Sequence, residues 1–187
     1  LRYQVNPHFL FNTLNSLSAL VLTGKAQAAE QMIQTLSTFY RRSLAEDPTG
    51  MVSLEAEVAL QRAYLEIEAV RFPERLVAEI EIPRELLAAE VPGMILQPLV
   101  ENSVKYGVAP VGRAVTVRIA AREEYGQLVL EVADNGKGAA GKGGLGIGLT
   151  NVRDRLEARY GEAASLVSGA AEGGGWRTEI RLPLEYS

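Results

Sequence analysis

The chain has 187 residues, no cysteine and a single histidine, His8. This excludes a disulfide framework, a thiolate zinc site and a cysteine nucleophile, and a Ser-His-Asp triad would have to recruit His8. Nineteen Lys and Arg against 23 Asp and Glu leave a net charge of −4 with no basic stripe, which argues against nucleic-acid binding. The 47% hydrophobic content is that of a soluble globular chain. Apolar runs such as Met94 to Leu96 fall far short of the roughly 20 residues that a bilayer span needs. No signal peptide is visible, and the lack of cysteine fits a reducing interior. The chain opens at Leu1 in sequence that already reads as helix, so it is expected to be a piece of a longer protein.

In chain order, Leu10, Phe11, Leu14, Leu17 and Val21 recur at spacings of three and four and predict a first helix, with a stop at Gly24. Pro7 is expected to bend or loosen that helix beside His8. Met32, Ile33, Leu36, Phe39, Tyr40 and Leu44 predict a second helix. The breaker Asp47-Pro48-Thr49-Gly50 then sets a boundary between a first domain, residues 1–47, and a second, residues 48–187. Two helices joined by a short turn cannot bury both apolar faces, so the hairpin is expected to form a homodimeric four-helix bundle. A third helix is expected from the N-cap Ser53 to about Val70, with Glu55 and Glu57 favourably placed in its first turn. Residues 76–82 alternate as a strand, and residues 93–106 read as a helix kinked at Pro98. Val115–Arg122 and Gln127–Asp134 form a hairpin around Glu124-Tyr-Gly126. A helix is expected from about Gly148 to Tyr160, then strands at Ala164–Ser168 and Trp176–Leu182. Helices mixed with antiparallel strands argue for an α+β fold, a sheet covered by helices.

Five segments carry candidate chemistry. In Leu128-Val-Leu-Glu-Val-Ala-Asp134, a period of two places Asp134 on the apolar, core-facing row with Leu128, Leu130 and Val132. A buried carboxylate needs a partner or a ligand, although Asp134-Asn-Gly is also a common turn. On the last strand Thr178 interrupts the apolar row of Trp176, Ile180 and Leu182; it serves either β-branching or that acid. Seven of the 18 glycines lie between Gly136 and Gly148, and Gly143-Gly-Leu-Gly-Ile-Gly-Leu149 runs straight into a helix. This is either a surface loop or a phosphate cradle at a helix N-terminus. In the 95–106 helix, Leu96, Leu99, Val100 and Ser103 share one face, while Gln97, Glu101, Asn102 and Lys105 share the other. That polar face is a solvated one with a Glu101–Lys105 pair, or a site offering an oxygen ligand for Mg²⁺, an acid or base and a phosphate-facing cation. Finally, His8 sits in Asn6-Pro-His-Phe-Leu-Phe-Asn12, with Asn12 one turn below it on the same face.

Taken together these segments resemble the catalytic core of a sensor histidine kinase of the LytS/YehU type, over nearly the whole chain. Residues 6–12 resemble that family's phosphoacceptor motif. Leu96-Gln-Pro-Leu-Val-Glu-Asn102 with Lys105 resembles the N box of the GHKL (Bergerat) ATP-binding fold, and Asp134-Asn-Gly-Lys-Gly138 resembles its first glycine box. Gly144-Leu-Gly-Ile-Gly-Leu149 with Asn151-Val152 and Arg155-Leu156 resembles the second. Tyr64-Leu-Glu-Ile67 with Arg71-Phe72 also matches the family but suggests nothing beyond packing. Relatives often carry histidine where Tyr106 stands.

The resemblance implies a dimerisation and phosphotransfer hairpin followed by a GHKL α/β sandwich with a mixed sheet, using ATP and Mg²⁺. It implies that Asp134 accepts from the adenine amino group with help from Thr178. It also implies that Asn102 holds Mg²⁺, Glu101 orients or activates the attack, and Lys105 offsets phosphate charge. Gly136, Gly138, Gly144, Gly146, Gly148 and Leu149 would frame the polyphosphate, with residues 137–147 as a lid. His8, oriented by Asn12, would take the γ-phosphoryl group and pass it to an aspartate of a response-regulator receiver domain. No acid follows His8, where other histidine kinases carry their base. A membrane is implied only through a missing N-terminal region, with this piece on the cytoplasmic side. The rival readings are a non-catalytic ATP-binding scaffold and a GHKL ATPase.

Overall fold

Asn6 starts the first helix: its side chain accepts a hydrogen bond from the His8 backbone N–H at 3.0 Å. Helix α1 (Pro7–Leu22) therefore has Pro7 in its first turn, where an N–H is not needed, and the expected bend is a helix start instead. The computed structural model describes residues 6–45, 50–137 and 146–187. Helix α2 (Ala26–Ala45) follows a short turn. Strand β1 (Met51–Ser53) leads into α3 (Leu54–Arg71), with the Ser53 hydroxyl accepting from the Ala56 N–H at 3.1 Å. Strands β2 (Leu76–Glu81) and β3 (Glu90–Pro92) come next. The short strands β1 and β3, which have too few residues for a visible period, pair antiparallel.

The helix expected over 93–106 is two elements. Residues 93–96 are not helical, and Met94 has a φ of 58°. Helix α4 spans Gln97–Asn102, and the chain continues as a π-helical turn over Ser103–Val108. Pro98 again falls in a first turn, so no kink arises there. Arg75 closes this segment by donating to the carbonyls of Val108 (3.1 Å), Ala109 (3.3 Å) and Val111. Strands β4 (Val115–Glu124) and β5 (Gln127–Asp134) form the expected hairpin, with Tyr125 and Gly126 at φ 51° and 77° as its turn demands. Helix α5 (Ile147–Tyr160), β6 (Ser165–Ala170) and β7 (Trp176–Pro183) complete the chain.

The five-stranded sheet has the order β2-β4-β5-β7-β6, with β2 parallel to β4 and every other pair antiparallel. The sheet is thus mixed, and the α+β architecture stands as expected. One face buries Val117, Ile119, Leu128, Leu130 and Ile180 against a helical layer contributing Leu60, Ile67, Leu99, Val152 and Leu156. The other face carries a lattice of ions that the sequence reading did not foresee. Arg118 bonds Glu81 and Glu131, Arg122 bonds Glu124 and Glu179, and Arg181 bonds the latter two acids as well. The arginines stay partly in solvent while Glu131 and Glu179 are largely covered, so the network keeps an uncovered sheet face wettable rather than adding much stability pair by pair.

The hairpin α1–α2 does not stand alone. Phe9 of α1 lies 5.5 Å from Phe39 of α2 and 5.1 Å from Tyr64 of α3, ring to ring. Phe9 and Thr13 face inward on α1, whereas Phe11, Leu14 and Val21 from the predicted apolar stripe are exposed, as are Ile33 and Leu44 of α2. Helix α3 thus covers one apolar side of the hairpin, and the other remains open.

Candidate functional site

Asp134 ends β5 and is 5% exposed, in line with buried Leu128, Leu130 and Val132 as the alternation required. Burial pushes its carboxyl above the usual range; the Gly136 N–H, 3.0 Å from Oδ1, and the Ser103 hydroxyl pull in the other direction. Ser103, counted with the apolar face of its helix, is therefore a partner of this acid. The expected partner Thr178 is buried, but it lies opposite Val132 in the register and its hydroxyl pairs with Ser168 at 2.7 Å. Ser168 also accepts from the Trp176 indole N–H at 2.7 Å. The acid is enclosed by backbone. A Cβ on Gly107 would come 2.5 Å from Asp134 Oδ1, and one on Gly136 would collide with the Gly107 carbonyl. The π-helical turn brings Gly107 here, an irregularity of the kind that gathers at functional sites.

Helix α4 presents the second group. Its entry is fixed by Glu57 of α3, which is fully buried and accepts from the Met94 N–H at 2.8 Å and the Leu96 N–H at 2.9 Å. Arg155 of α5 donates to the Gly93 carbonyl at 2.9 Å, and the Glu57 charge offsets its burial. Glu57 is thus more than a first-turn acid: it links three helices behind the site. A signal for it existed in the polar row Glu57, Gln61, Tyr64 and Glu68, a second polar stripe on a helix whose exposed face is already supplied by Glu55, Arg62 and Glu66. Gln97, placed with the polar face, is 1% exposed and donates to Glu101 at 3.1 Å. Glu101 and Asn102 are half-buried. Lys105 is exposed, with its ammonium 5.0 Å from the Tyr106 ring centre.

These groups line a single cleft of about 1140 Å³. Asp134 and Trp176 lie on its sheet side; Glu101, Asn102 and Lys105 on the α4 side; Gly146, Gly148 and Leu149 at the start of α5; His8 and Asn12 on α1. The cleft thus brings together residues from the first helix and from the end of β5, 126 positions apart. Gly136 lies beside Asp134, and Thr178 stands behind Ser168. Gly138 and Gly144, with most of the lid expected over 137–147, lie outside the described residues. The sequence reading missed Ser103, Gly107, Glu57, Ser168 and the Glu68–Arg71 pair, which also lines the cleft.

A buried acid framed by glycine, facing an Asn-bearing helix across a cleft of this size, is the arrangement of a nucleotide-binding α+β module. The chain belongs to the histidine kinase-, DNA gyrase B- and HSP90-like ATPase family, whose model matches residues 90–186, while a histidine kinase model matches residues 1–76. It is the core type found in LytS-like sensor histidine kinases. The chain is 39% identical over 184 residues to the sensor histidine kinase BtsS of Escherichia coli (strain K12), covering 98% of this chain and 32% of that protein. It is 34% identical over 188 residues to the sensor histidine kinase YesM of Bacillus subtilis (strain 168), covering 98% and 32%. The sensor protein LytS of the same strain is 30% identical over 198 residues, covering 99% and 33%. The chain therefore spans about a third of the length of these relatives. Among solved structures, the histidine kinase domain of the blue-light activated histidine kinase EL346 from Erythrobacter litoralis matches with a TM-score of 0.57 at 15% identity, covering 95% of this chain and 93% of that one. The Acinetobacter baumannii histidine kinase AdeS matches with the same TM-score at 14% identity, covering 95% of each. At these identities the likeness is one of fold.

Proposed function

We propose that this chain catalyses transfer of the γ-phosphoryl group of Mg–ATP to His8, within a sensor kinase that then phosphorylates an aspartate of a response regulator. The observation that carries this reading is the position of His8 on the wall of the cleft that holds Asp134, Glu101 and Asn102. A hydrolytic ATPase has no use for a nucleophilic side chain there, and a scaffold has no use for Glu101 in the same cleft.

On this reading the Asp134 carboxylate accepts from the adenine amino group, with Ser103 and the Gly136 N–H holding the acid in place. Thr178 acts at one remove, by orienting Ser168. Gly136, Gly146, Gly148 and Leu149 frame the phosphates, and Lys105 offsets their charge; the same role for Gly138 and Gly144 rests on sequence. Asn102 offers one neutral oxygen ligand, a donor that suits Mg²⁺ bound mainly through phosphate oxygens and water. The metal would supply charge neutralisation on the phosphates. Glu101, steadied by Gln97, orients the attack, and Asn12 orients the His8 ring. Little covalent work falls to the protein, so positioning and charge stabilisation carry the catalysis.

The division into a phosphotransfer hairpin, residues 1–47, and an ATP-binding domain, residues 48–187, belongs to this proposal. So does a homodimer through the hairpin, supported by the exposed row of Phe11, Leu14, Val21, Ile33 and Leu44. ATP is a cytoplasmic substrate, which places the chain on that side of a sensor whose remaining length anchors it in the membrane. Among the described residues, no helix is long and apolar enough to cross one.

Trp176, the one tryptophan of the chain, lines the cleft and provides the test of nucleotide binding. Titration with Mg–ATP is expected to change its fluorescence saturably, and GTP is expected to compete poorly because its purine carries a carbonyl where adenine carries the amino group. Equal response to both nucleotides contradicts Asp134 as the adenine anchor.

A further inference from the structure

The segment Tyr64-Leu-Glu-Ile-Glu-Ala-Val-Arg-Phe72 has no part in the mechanism above, yet three of its side chains line the cleft. Tyr64 packs against Phe9, the neighbour of His8, with the two rings tilted and their centres 5.1 Å apart. One turn on, Glu68 is only 3% exposed and lies within electrostatic reach of Glu101. Arg71 Nη1 stands 3.4 Å from Glu68 Oε2, and its guanidinium carbon lies 4.7 Å from the Phe72 ring centre. Tyr64, Glu68 and Arg71 all line the cleft with His8, Glu101 and Asn102. A basic residue in the last turn of a helix is often there only for the helix dipole. That account leaves unexplained why a carboxylate is buried at a cost to hold it. It also leaves unexplained why an aromatic ring pins the same guanidinium on the cleft wall.

The cleft needs another cation. Glu68, Glu101 and Asp134 are acids in a site that must accept a polyphosphate, and Lys105 is the one cationic side chain assigned to it so far. A guanidinium offers five N–H donors in a planar fork suited to phosphoryl oxygens, and Glu68 and Phe72 leave most of them open.

We propose that Arg71 is a further catalytic residue, contacting the γ-phosphoryl oxygens during transfer to His8, with Glu68 as the positioning residue that holds its guanidinium. In that step the lone pair of one His8 ring nitrogen forms the N–P bond. The bond from the γ-phosphorus to the bridging oxygen breaks, and its electron pair leaves on ADP. The other ring nitrogen keeps its proton until solvent takes it. Arg71 neither gives nor takes a proton; it offsets charge on the oxygens in flight. The assignment rests on the proposed phosphorylation of His8.

The test is single-turnover labelling of the chain with Mg–ATP, in wild type, Arg71→Gln, Arg71→Lys and Glu68→Gln, with ADP affinity and thermal melting measured beside it. Arg71→Gln is expected to slow labelling at least about 100-fold while ADP affinity holds, because ADP lacks the group Arg71 touches; melting falls somewhat, because buried Glu68 loses its cation. Arg71→Lys is expected to recover part of that loss, since the charge returns without the fork. Glu68→Gln is expected to slow labelling without changing ADP affinity. Wild-type labelling in Arg71→Gln, or a loss matched by a loss of ADP affinity, overturns the assignment. If Gln at position 71 unfolds the chain, Arg71→Lys decides: a slowed rate with ADP affinity intact supports the role, and a wild-type rate overturns it. Absence of label on His8 in the wild type overturns the kinase reading itself and this inference with it, whereas labelled wild type with equally labelled Arg71→Gln overturns this inference alone.

Discussion

A chain carrying His8→Gln is expected to take up no acid-labile, base-stable phosphate from Mg–ATP, while its affinity for ADP stays at the wild-type value. His8 is exposed, and its structural bond, the backbone N–H to Asn6, survives replacement of the side chain. Substitutions at such positions change stability by about 0.5 kcal/mol or less, so loss of label cannot be traced to unfolding. Glutamine retains a polar side chain of similar reach but has no nitrogen lone pair free to attack phosphorus. Labelling by hydroxyl residues elsewhere is chemically distinguishable, because phosphoserine and phosphothreonine survive acid. Acid-labile label that persists in His8→Gln contradicts the phosphoacceptor assignment.

The second large effect is expected at Asp134, where function and stability pull apart. Asp134→Asn exchanges an acceptor for a group that meets the adenine amino group with a donor or with a weaker carbonyl acceptor. Leaving a buried polar group mismatched costs about 1–3 kcal/mol, so ATP affinity is expected to fall roughly 10- to 100-fold. The nucleotide-free protein is expected to become more stable near neutral pH. Burial holds the Asp134 carboxyl above its unfolded value, so the folded state binds its proton more readily than the unfolded chain. The destabilisation from this residue is absent below the unfolded pKa of about 4, grows as pH rises toward the folded value, and is fully present above it. Asp134→Asn removes that slope from the profile of unfolding free energy against pH. A variant that binds ATP normally, or whose stability keeps the wild-type pH slope in this range, contradicts the placement of Asp134 as a buried ligand acceptor. Stability traded for a ready-made binding group is the usual cost of a functional site.

Much of the site was legible because its chemistry interrupts regular patterns. Asp134 breaks a period-two apolar row, and the row alone places it in the core beside its sheet neighbours. The α+β class followed from the same periodicities, and the β4–β5 hairpin from its turn residues. Other features lay beyond a local reading. The two prolines at Pro7 and Pro98 read as bends, yet both sit in first turns, because a start and an interruption look alike without the capping bond that distinguishes them. The π-helical turn at 103–108 left no mark on hydrophobic spacing, and the buried Ser103 that begins it read as a small core residue although its hydroxyl meets Asp134. Thr178 was correctly read as buried, but its partner Ser168 lies on a neighbouring strand whose register no local pattern fixes. Glu57 is the clearest case. In sequence it is a favourable first-turn acid, and only the fold reveals that it holds the backbone entering α4. The hairpin stripe had a similar outcome: its two sides are divided between α3 and the open face, a division set by Phe9 and Phe39 meeting Tyr64.

On the proposed function, the cleft between α1, α4 and β5 transfers phosphate to His8 rather than to water. The most direct test is to incubate the wild-type chain with Mg–ATP, digest it under basic conditions that preserve phosphohistidine, and map the modified residue by mass spectrometry while measuring inorganic phosphate. Phosphate is expected on the peptide containing His8, in step with ADP formed. Unmodified His8 with ATP converted to ADP and free inorganic phosphate would contradict the proposed function.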